Sequence, residues 1–114
     1  MRNHLLATYK AAAKRRGYEW RLGNEEFFKI TQQPCHYCGA PPSERRGSKR
    51  YNGGYICNGV DRRDNSLGYI SDNALPACKD CNYMKGKKTY KEFVSYLQQA
   101  GRFQLGITAT GISV

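Results

Sequence analysis

The sequence predicts a small α+β domain. Two observations carry this. Helical patterning at both ends gives way to extended patterning in the middle, and the cysteines fall into two pairs that bracket the extended part. Cys35-His36-Tyr37-Cys38 opens the central stretch and Cys78-Lys79-Asp80-Cys81 closes it. Two Cys-x2-Cys pairs supply four thiolates, the donor set of structural zinc. The gap between the pairs is too long for a compact ribbon, so the metal would clip together the two ends of an inserted unit. The fifth cysteine, Cys57, reads as a small buried strand residue.

The elements follow in order. Residues 2–16 read as a helix, with Leu5, Leu6 and Tyr9 starting an apolar face and four alanines favouring the conformation. Lys14, Arg15 and Arg16 suit its C-terminal dipole, and Gly17 stops it. Residues 18–22 alternate as a short extended segment. Asn24 is the expected N-cap of a second helix, with Glu25 and Glu26 in its first turn and Phe27, Phe28 and Ile30 facing a core. Pro34 delivers Cys35 into the first knuckle. Residues 44–51 read as an exposed basic loop, and residues 52–54 as a turn. Residues 55–61 read as one strand, and Tyr69-Ile70 as its return. A short helix is expected from Lys79 to Lys85, closed by Gly86. Thr89 and Glu92 form a capping box for a final helix to Gln99, with Phe93, Tyr96 and Leu97 buried and Gly101 ending it. Residues 106–114 are expected to be a weakly ordered tail. The chain is expected to be one domain, with a core at 24–99 and a basic N-terminal helix and extended segment at 1–23.

Nineteen Lys and Arg face nine Asp and Glu, a formal charge of +10. That excess, in clusters and beside nine tyrosines, points to a polyanionic partner, in most such cases nucleic acid. No apolar run approaches the length of a membrane span. An odd number of cysteines and no evident secretory signal argue for a reducing compartment.

Strand, loop, strand and a helix behind a cysteine knuckle make a ββα unit held by zinc. With Asp61 on the first strand and Asn82 directly after Cys81, the chain resembles the HNH endonucleases of the ββα-metal superfamily. The likeness spans residues 24–97. Its motifs are Pro34-Cys35-His36-Tyr37-Cys38-Gly39, then Asn58-Gly59-Val60-Asp61-Arg62-x-Asp64-Asn65. Gly68-Tyr69, Asn73, Pro76 and Cys78-x2-Cys81-Asn82-x2-Lys85 complete them. The pattern resembles short phage-type members and is similar to recombination endonuclease VII. A phage-encoded member would work in the cytoplasm of a bacterial host.

The resemblance implies metal-dependent cleavage of DNA phosphodiester bonds. Asp61 and Asn82 would share a catalytic Mg²⁺ or Mn²⁺ through oxygen, and Asn73 would orient the loop. One departure matters. The family's base, a histidine, follows the acidic residue, and here Arg62 stands in that place. Guanidinium cannot accept a proton from water, but it can hold a phosphate oxygen. Asp64 is the nearest candidate base, or else a turn residue beside Asn65. Tyr69, His36 and His4 are the remaining candidates.

Lys79, Lys85, Lys87 and Lys88 would lie on or beside the helix that faces DNA. Arg45, Arg46, Lys49, Arg50 and Arg63 would reach flanking phosphates. Such contacts position a protein without selecting sequence. Two other readings stay open: a zinc-stabilised DNA-binding module without catalysis, and a structural adaptor in a phage DNA-handling complex.

Overall fold

A computed structural model describes residues 2–46 and 54–106. Among these residues are four α-helices, one short 3-10 turn at Ser71–Asn73 and two small antiparallel sheets. Helix α1 runs from Arg2 to Arg16 and buries Leu5, Leu6 and Ala13. It ends as its sequence requires. Gly17 takes φ +76°, Tyr18 N–H donates to Ala13 at 2.8 Å and Gly17 N–H to Lys14 at 3.2 Å. These two bonds satisfy carbonyls that the last turn leaves open. Helix α2, Asn24–Thr31, starts one residue earlier than a cap at Asn24 would allow. Gly23 is its N-cap, and no side chain caps it. Asn24 lies inside the first turn, and its Oδ1 accepts from Lys10 Nζ at 3.2 Å instead.

Strand β1, Glu44–Arg46, pairs with β2, Tyr55–Cys57. The stretch expected to be wholly loop therefore opens as an edge strand; residues 47–53, with Lys49 and Arg50, lie outside the described residues. The single strand expected at 55–61 is broken at Asn58. Strand β3, Gly59–Arg62, belongs to a second sheet and pairs with β4, Ala74–Ala77. Asn58 makes the switch. Its N–H donates to Thr31 O at 2.8 Å, and its buried Nδ2 donates to Gln33 O at 2.8 Å and Ala40 O at 3.2 Å. A residue that spends its backbone and amide on α2 and the knuckle cannot continue a ladder.

The return strand is thus residues 74–77 and not Tyr69-Ile70. Tyr69 pairs elsewhere: its N–H donates to Glu19 O at 2.7 Å and its carbonyl accepts from Arg21 N–H at 2.8 Å, forming a parallel bridge with Trp20. Gly68 permits this approach, because a Cβ there would collide with the Glu19 backbone.

Helix α3, Lys79–Lys85, is capped by Cys78 and closed by Gly86 at φ +50°. Helix α4, Tyr90–Leu105, carries the expected capping box, with Glu92 N–H donating to Thr89 Oγ1 at 3.1 Å and Thr89 N–H to Glu92 Oε1 at 3.0 Å. It runs past Gly101, which stands in open space, and stops at Gly106, φ +70°. Phe93 is fully buried and Leu97 half-buried, but Tyr96 faces out. Among the described residues no helix is long and apolar enough to cross a membrane.

Buried side chains form two clusters. One gathers Leu5, Leu6, Leu22, Phe27, Phe28, Ile30, Cys57, Val60 and Ala74, with Tyr9, Trp20 and Tyr69 packed on it. The other gathers Cys35, Ala77, Cys81 and Phe93, with Tyr37 and Leu97 beside them.

Candidate metal centres

The first centre is the cysteine cluster. The Sγ atoms of Cys35, Cys38, Cys78 and Cys81 all lie within 4.8 Å of one another. Thiolates held about 2.3 Å from a tetrahedral zinc stand about 3.8 Å apart, and Cys38 Sγ lies 3.7 Å from Cys78 Sγ. The donor set and spacing fit zinc. The backbone prepares them. Cys35 N–H donates to Ala40 O at 2.8 Å and Gly39 N–H to Cys35 O at 2.9 Å, a tight turn that Gly39 closes at φ +78°. His36 N–H bonds Pro76 O at 2.8 Å, which ties the first knuckle to β4, and β4 leads directly into the second. Cys57 is buried in the other cluster, and burial raises its thiol pKa.

The second centre surrounds Asp61 on β3. Tyr37 Oη donates to Asp61 Oδ2 at 2.6 Å. Lys85 Nζ, on the last turn of α3, stands 3.0 Å from the same Oδ2. The ammonium also donates to Arg62 O at 2.7 Å and Asn65 Oδ1 at 3.3 Å. Three oxygens therefore cage a lysine that is 1% exposed. A buried charge needs such partners, since unpaired it costs several kcal/mol, roughly. Lys85 was expected among the DNA-facing cations. Its burial removes it from that surface.

Both donors engage Oδ2, and among the described residues Asp61 Oδ1 has no hydrogen-bond partner. Asn82, the middle residue of α3, makes no side-chain hydrogen bond among the described residues either. Its Nδ2 lies 3.3 Å from where a Cβ on Gly59 would stand. Gly59 and Asp61 are two residues apart on β3, so they share one face of the strand. Among the described residues, a carboxylate oxygen of Asp61 and the side-chain amide of Asn82 are thus both without a hydrogen-bond partner within one ββα unit. Both are oxygen donors of the kind Mg²⁺ takes, with water completing its shell.

Arg62 is committed to the loop. Its guanidinium lies 3.5 Å from the centroid of the Tyr18 ring, and Nη1 donates to Asn65 O at 2.6 Å and Leu67 O at 2.9 Å. Asn73 is buried and binds the same loop from the other side. Its Oδ1 accepts from Asp64 N–H at 2.7 Å, and Nδ2 donates to Asp64 O at 3.1 Å and Gly68 O at 2.9 Å. Asp64 is exposed, and its Oδ1 accepts from the Ser66 hydroxyl at 2.7 Å and the Ser66 N–H at 2.9 Å. These bonds hold its carboxyl below the usual aspartate range, which suits a turn and makes a poor base. Tyr69 packs on Trp20, and burial raises its phenol pKa. His36 Nε2 pairs with Tyr90 Oη at 2.9 Å. His4 is exposed on α1.

Of the other cations, Lys79, Lys87 and Lys88 are exposed on and after α3, and Arg45 is exposed on β1. Arg46 pairs with Glu44 at 3.1 Å. The Arg63 guanidinium stands 4.3 Å over the Tyr90 ring. Tyr37 and Lys85 are the site residues whose roles the sequence did not reveal. Each reaches Asp61 from 24 residues away, and no local pattern reports such a contact.

The structure is similar to that of the rare-cutting HNH restriction endonuclease PacI, with a TM-score of 0.65 and 24% identity over 90% of this chain and 78% of that one. The fold is HNH-like. A curated relative, an uncharacterized protein of Acanthamoeba polyphaga mimivirus, is 39% identical over 83 residues. That match covers 73% of this chain but only 13% of the relative's length. No family model matches. In this chain Asp61 lies on β3, the first strand of the β3–β4–α3 unit, and Cys78 and Cys81 stand at the start of its helix.

Proposed function

We propose that the protein is a divalent-metal-dependent endonuclease that hydrolyses DNA phosphodiester bonds. One observation carries this reading: on an HNH-like fold, Asp61 on β3 and Asn82 on α3 belong to one ββα unit, and among the described residues neither Asp61 Oδ1 nor the Asn82 side chain makes a hydrogen bond. Asp61 and Asn82 would hold Mg²⁺ or Mn²⁺, which when bound supplies charge stabilisation at the scissile phosphate. Lys85 offsets part of the Asp61 charge and fixes the carboxylate from behind. Asn73 and Arg62 build the loop at 64–68 from its two sides. Arg62 therefore serves as scaffold, and it cannot accept a proton. Exposed Lys79, Lys87 and Lys88, with Arg63, would contact phosphates and orient the duplex. Neutralising phosphates with this surface makes binding steeply salt-dependent and tolerant of sequence.

A second reading has one observation in its favour. The position next to Asp61 that holds a histidine base in the family holds a scaffold arginine. A zinc-stabilised DNA-binding module would keep the surface without the chemistry.

Supercoiled plasmid separates the two. The endonuclease reading expects relaxation or linearisation with Mg²⁺ or Mn²⁺ that stops on chelation. Asp61→Ala and Asn82→Ala should each reduce it by about 100-fold or more while DNA binding persists, since charge stabilisation is a large catalytic term. Cleavage that survives both substitutions overturns the assignment. Salt-sensitive binding with no cleavage selects the module.

A further inference from the structure

We propose that Tyr37 is a positioning residue for the metal-binding carboxylate: together with Lys85 it fixes Oδ2 of Asp61, so that Oδ1 is the oxygen offered to the divalent ion. The inference rests on the reading of Asp61 as a metal ligand and adds the device that orients it.

The placement of Tyr37 is tightly determined. It stands between two cysteines of the cluster, on the turn closed by the Cys35–Ala40 and Gly39–Cys35 hydrogen bonds. Its ring packs edge-on against fully buried Phe93 at 5.0 Å between centroids, with His36 at 5.3 Å and Tyr90 at 6.0 Å. Backbone and ring are thus both held, and the phenol has one direction to point. At that point stands Asp61 Oδ2, 2.6 Å away. A neutral donor to a carboxylate at this length is a strong, charge-assisted bond.

Lys85 meets the same oxygen from α3. Its ammonium is fixed by Arg62 O, a backbone group of the strand that carries Asp61. Two donors from different elements converge on one oxygen and set the rotation of the carboxylate plane. Ligating carboxylates generally depend on such outer hydrogen bonds, and losing one costs about 10- to 100-fold in metal affinity or activity. The knuckle then has two roles. It closes the fold, and it aims the carboxylate 24 residues further along the chain.

The test is Mn²⁺ titration of the zinc-loaded protein by calorimetry, on the parent, Asp61→Ala and Tyr37→Phe. The parent should take up one Mn²⁺ that Asp61→Ala does not. Tyr37→Phe keeps the ring and removes only the hydroxyl. It should keep that stoichiometry with a Kd raised about 10-fold or more. Its kcat should fall while KM for DNA stays unchanged. Zinc content, and the thiolate-to-metal absorption of the cobalt-substituted protein, should match the parent. A Kd within about twofold of the parent overturns the inference while leaving the metal reading intact. A parent that takes up no more Mn²⁺ than Asp61→Ala overturns the metal reading and the inference with it. Should Tyr37→Phe lose zinc, 3-fluorotyrosine at Tyr37 keeps the hydroxyl and reports directly. Its fluorine resonance should move on adding Mg²⁺ to the parent and stay fixed in the Asp61→Ala background. An unmoved resonance in the parent contradicts the proposal.

Discussion

The two buried clusters are held together by different means. The aromatic cluster joins α1, α2, β2, β3 and β4 through side chains such as Leu5, Phe27 and Val60, with Tyr9, Trp20 and Tyr69 stacked on it. It is a hydrophobic core in the ordinary sense, and its stability comes from apolar area removed from water. The cysteine cluster offers Phe93, Ala77 and little else that is apolar and buried. Two of its four buried residues, Cys35 and Cys81, are members of the candidate ligand set. A cluster that thin has little packing of its own, and its four thiolates are placed so that a zinc would tie the turn at 35–40 to the start of α3, while α4, which carries no ligand, docks through Phe93 and Leu97. Asp61 sits between the two clusters: its strand starts beside Val60 in the first cluster, and its carboxylate is gripped by Tyr37 from the second.

Zinc removal is the severest way to break this comparison. Structural zinc contributes about 10–16 kcal/mol to small domains, more than the usual stability of a whole domain, roughly 5–15 kcal/mol. Stripping the metal, or Cys78→Ser, should abolish cooperative unfolding, and metal analysis of the intact protein should give close to one zinc per chain. Full zinc and an unchanged Tm in Cys78→Ser would show that the cluster does not depend on its ligands.

Point changes in the packed parts come next. Phe27→Ala removes a fully buried ring and should cost about 3–5 kcal/mol in denaturant unfolding. Zinc affinity should be unchanged once the protein is folded, because the lost contacts lie in the other cluster. Lys85→Ala should cost a similar amount, about 3–5 kcal/mol, by breaking a buried ion pair. Salt dependence of DNA binding should barely change in Lys85→Ala, since Lys85 does not reach the surface. A flattened salt slope would mean that Lys85 contacts DNA after all.

How much of this was legible in the sequence depended on range. Gly17, Gly86 and the Thr89–Glu92 box act on their own turns, so the starts and stops they set were readable. The cysteine spacing likewise announces its ligand set. Asn24 misled because a residue able to cap was drawn to Lys10 while Gly23 took the cap position. Gly101 misled because a glycine in open space can be carried inside a long helix at a cost of about 1 kcal/mol. The strand exchange at Asn58 and the contacts of Tyr37 and Lys85 with Asp61 were not readable, since each is fixed by partners far along the chain. Arg62 shows the same limit. Its charge suggested phosphate, but the loop carbonyls of Asn65 and Leu67 and the Tyr18 ring already claim it.

Smaller effects sharpen the comparison at the cap and the loop. Thr89→Ala should cost about 1 kcal/mol by removing the N-cap of α4, seen as a small fall in Tm with zinc content unchanged. The acid limb offers a separate check. Asp64 and Glu92 are both held below their ordinary values of 3.8 and 4.5, Asp64 by the Ser66 hydroxyl and N–H and Glu92 by the Thr89 N–H and hydroxyl. A lowered folded pKa means that the unfolded chain binds the proton first. These groups therefore stabilise the fold above their ordinary values, and that contribution is lost as pH falls through the lower, folded ones. Tm measured from neutral pH downward should drop below about pH 4, and the drop should be shallower in Asp64→Asn.

The central claim is that the second metal acts at Asp61, apart from the zinc that holds the fold. Single-turnover cleavage of plasmid by parent and Asp61→Asn, at matched zinc content, tests it directly. The account predicts a parent rate that rises with Mn²⁺ to saturation and falls by about 100-fold or more in Asp61→Asn, with one zinc per chain in both. Equal rates in the two proteins would contradict it.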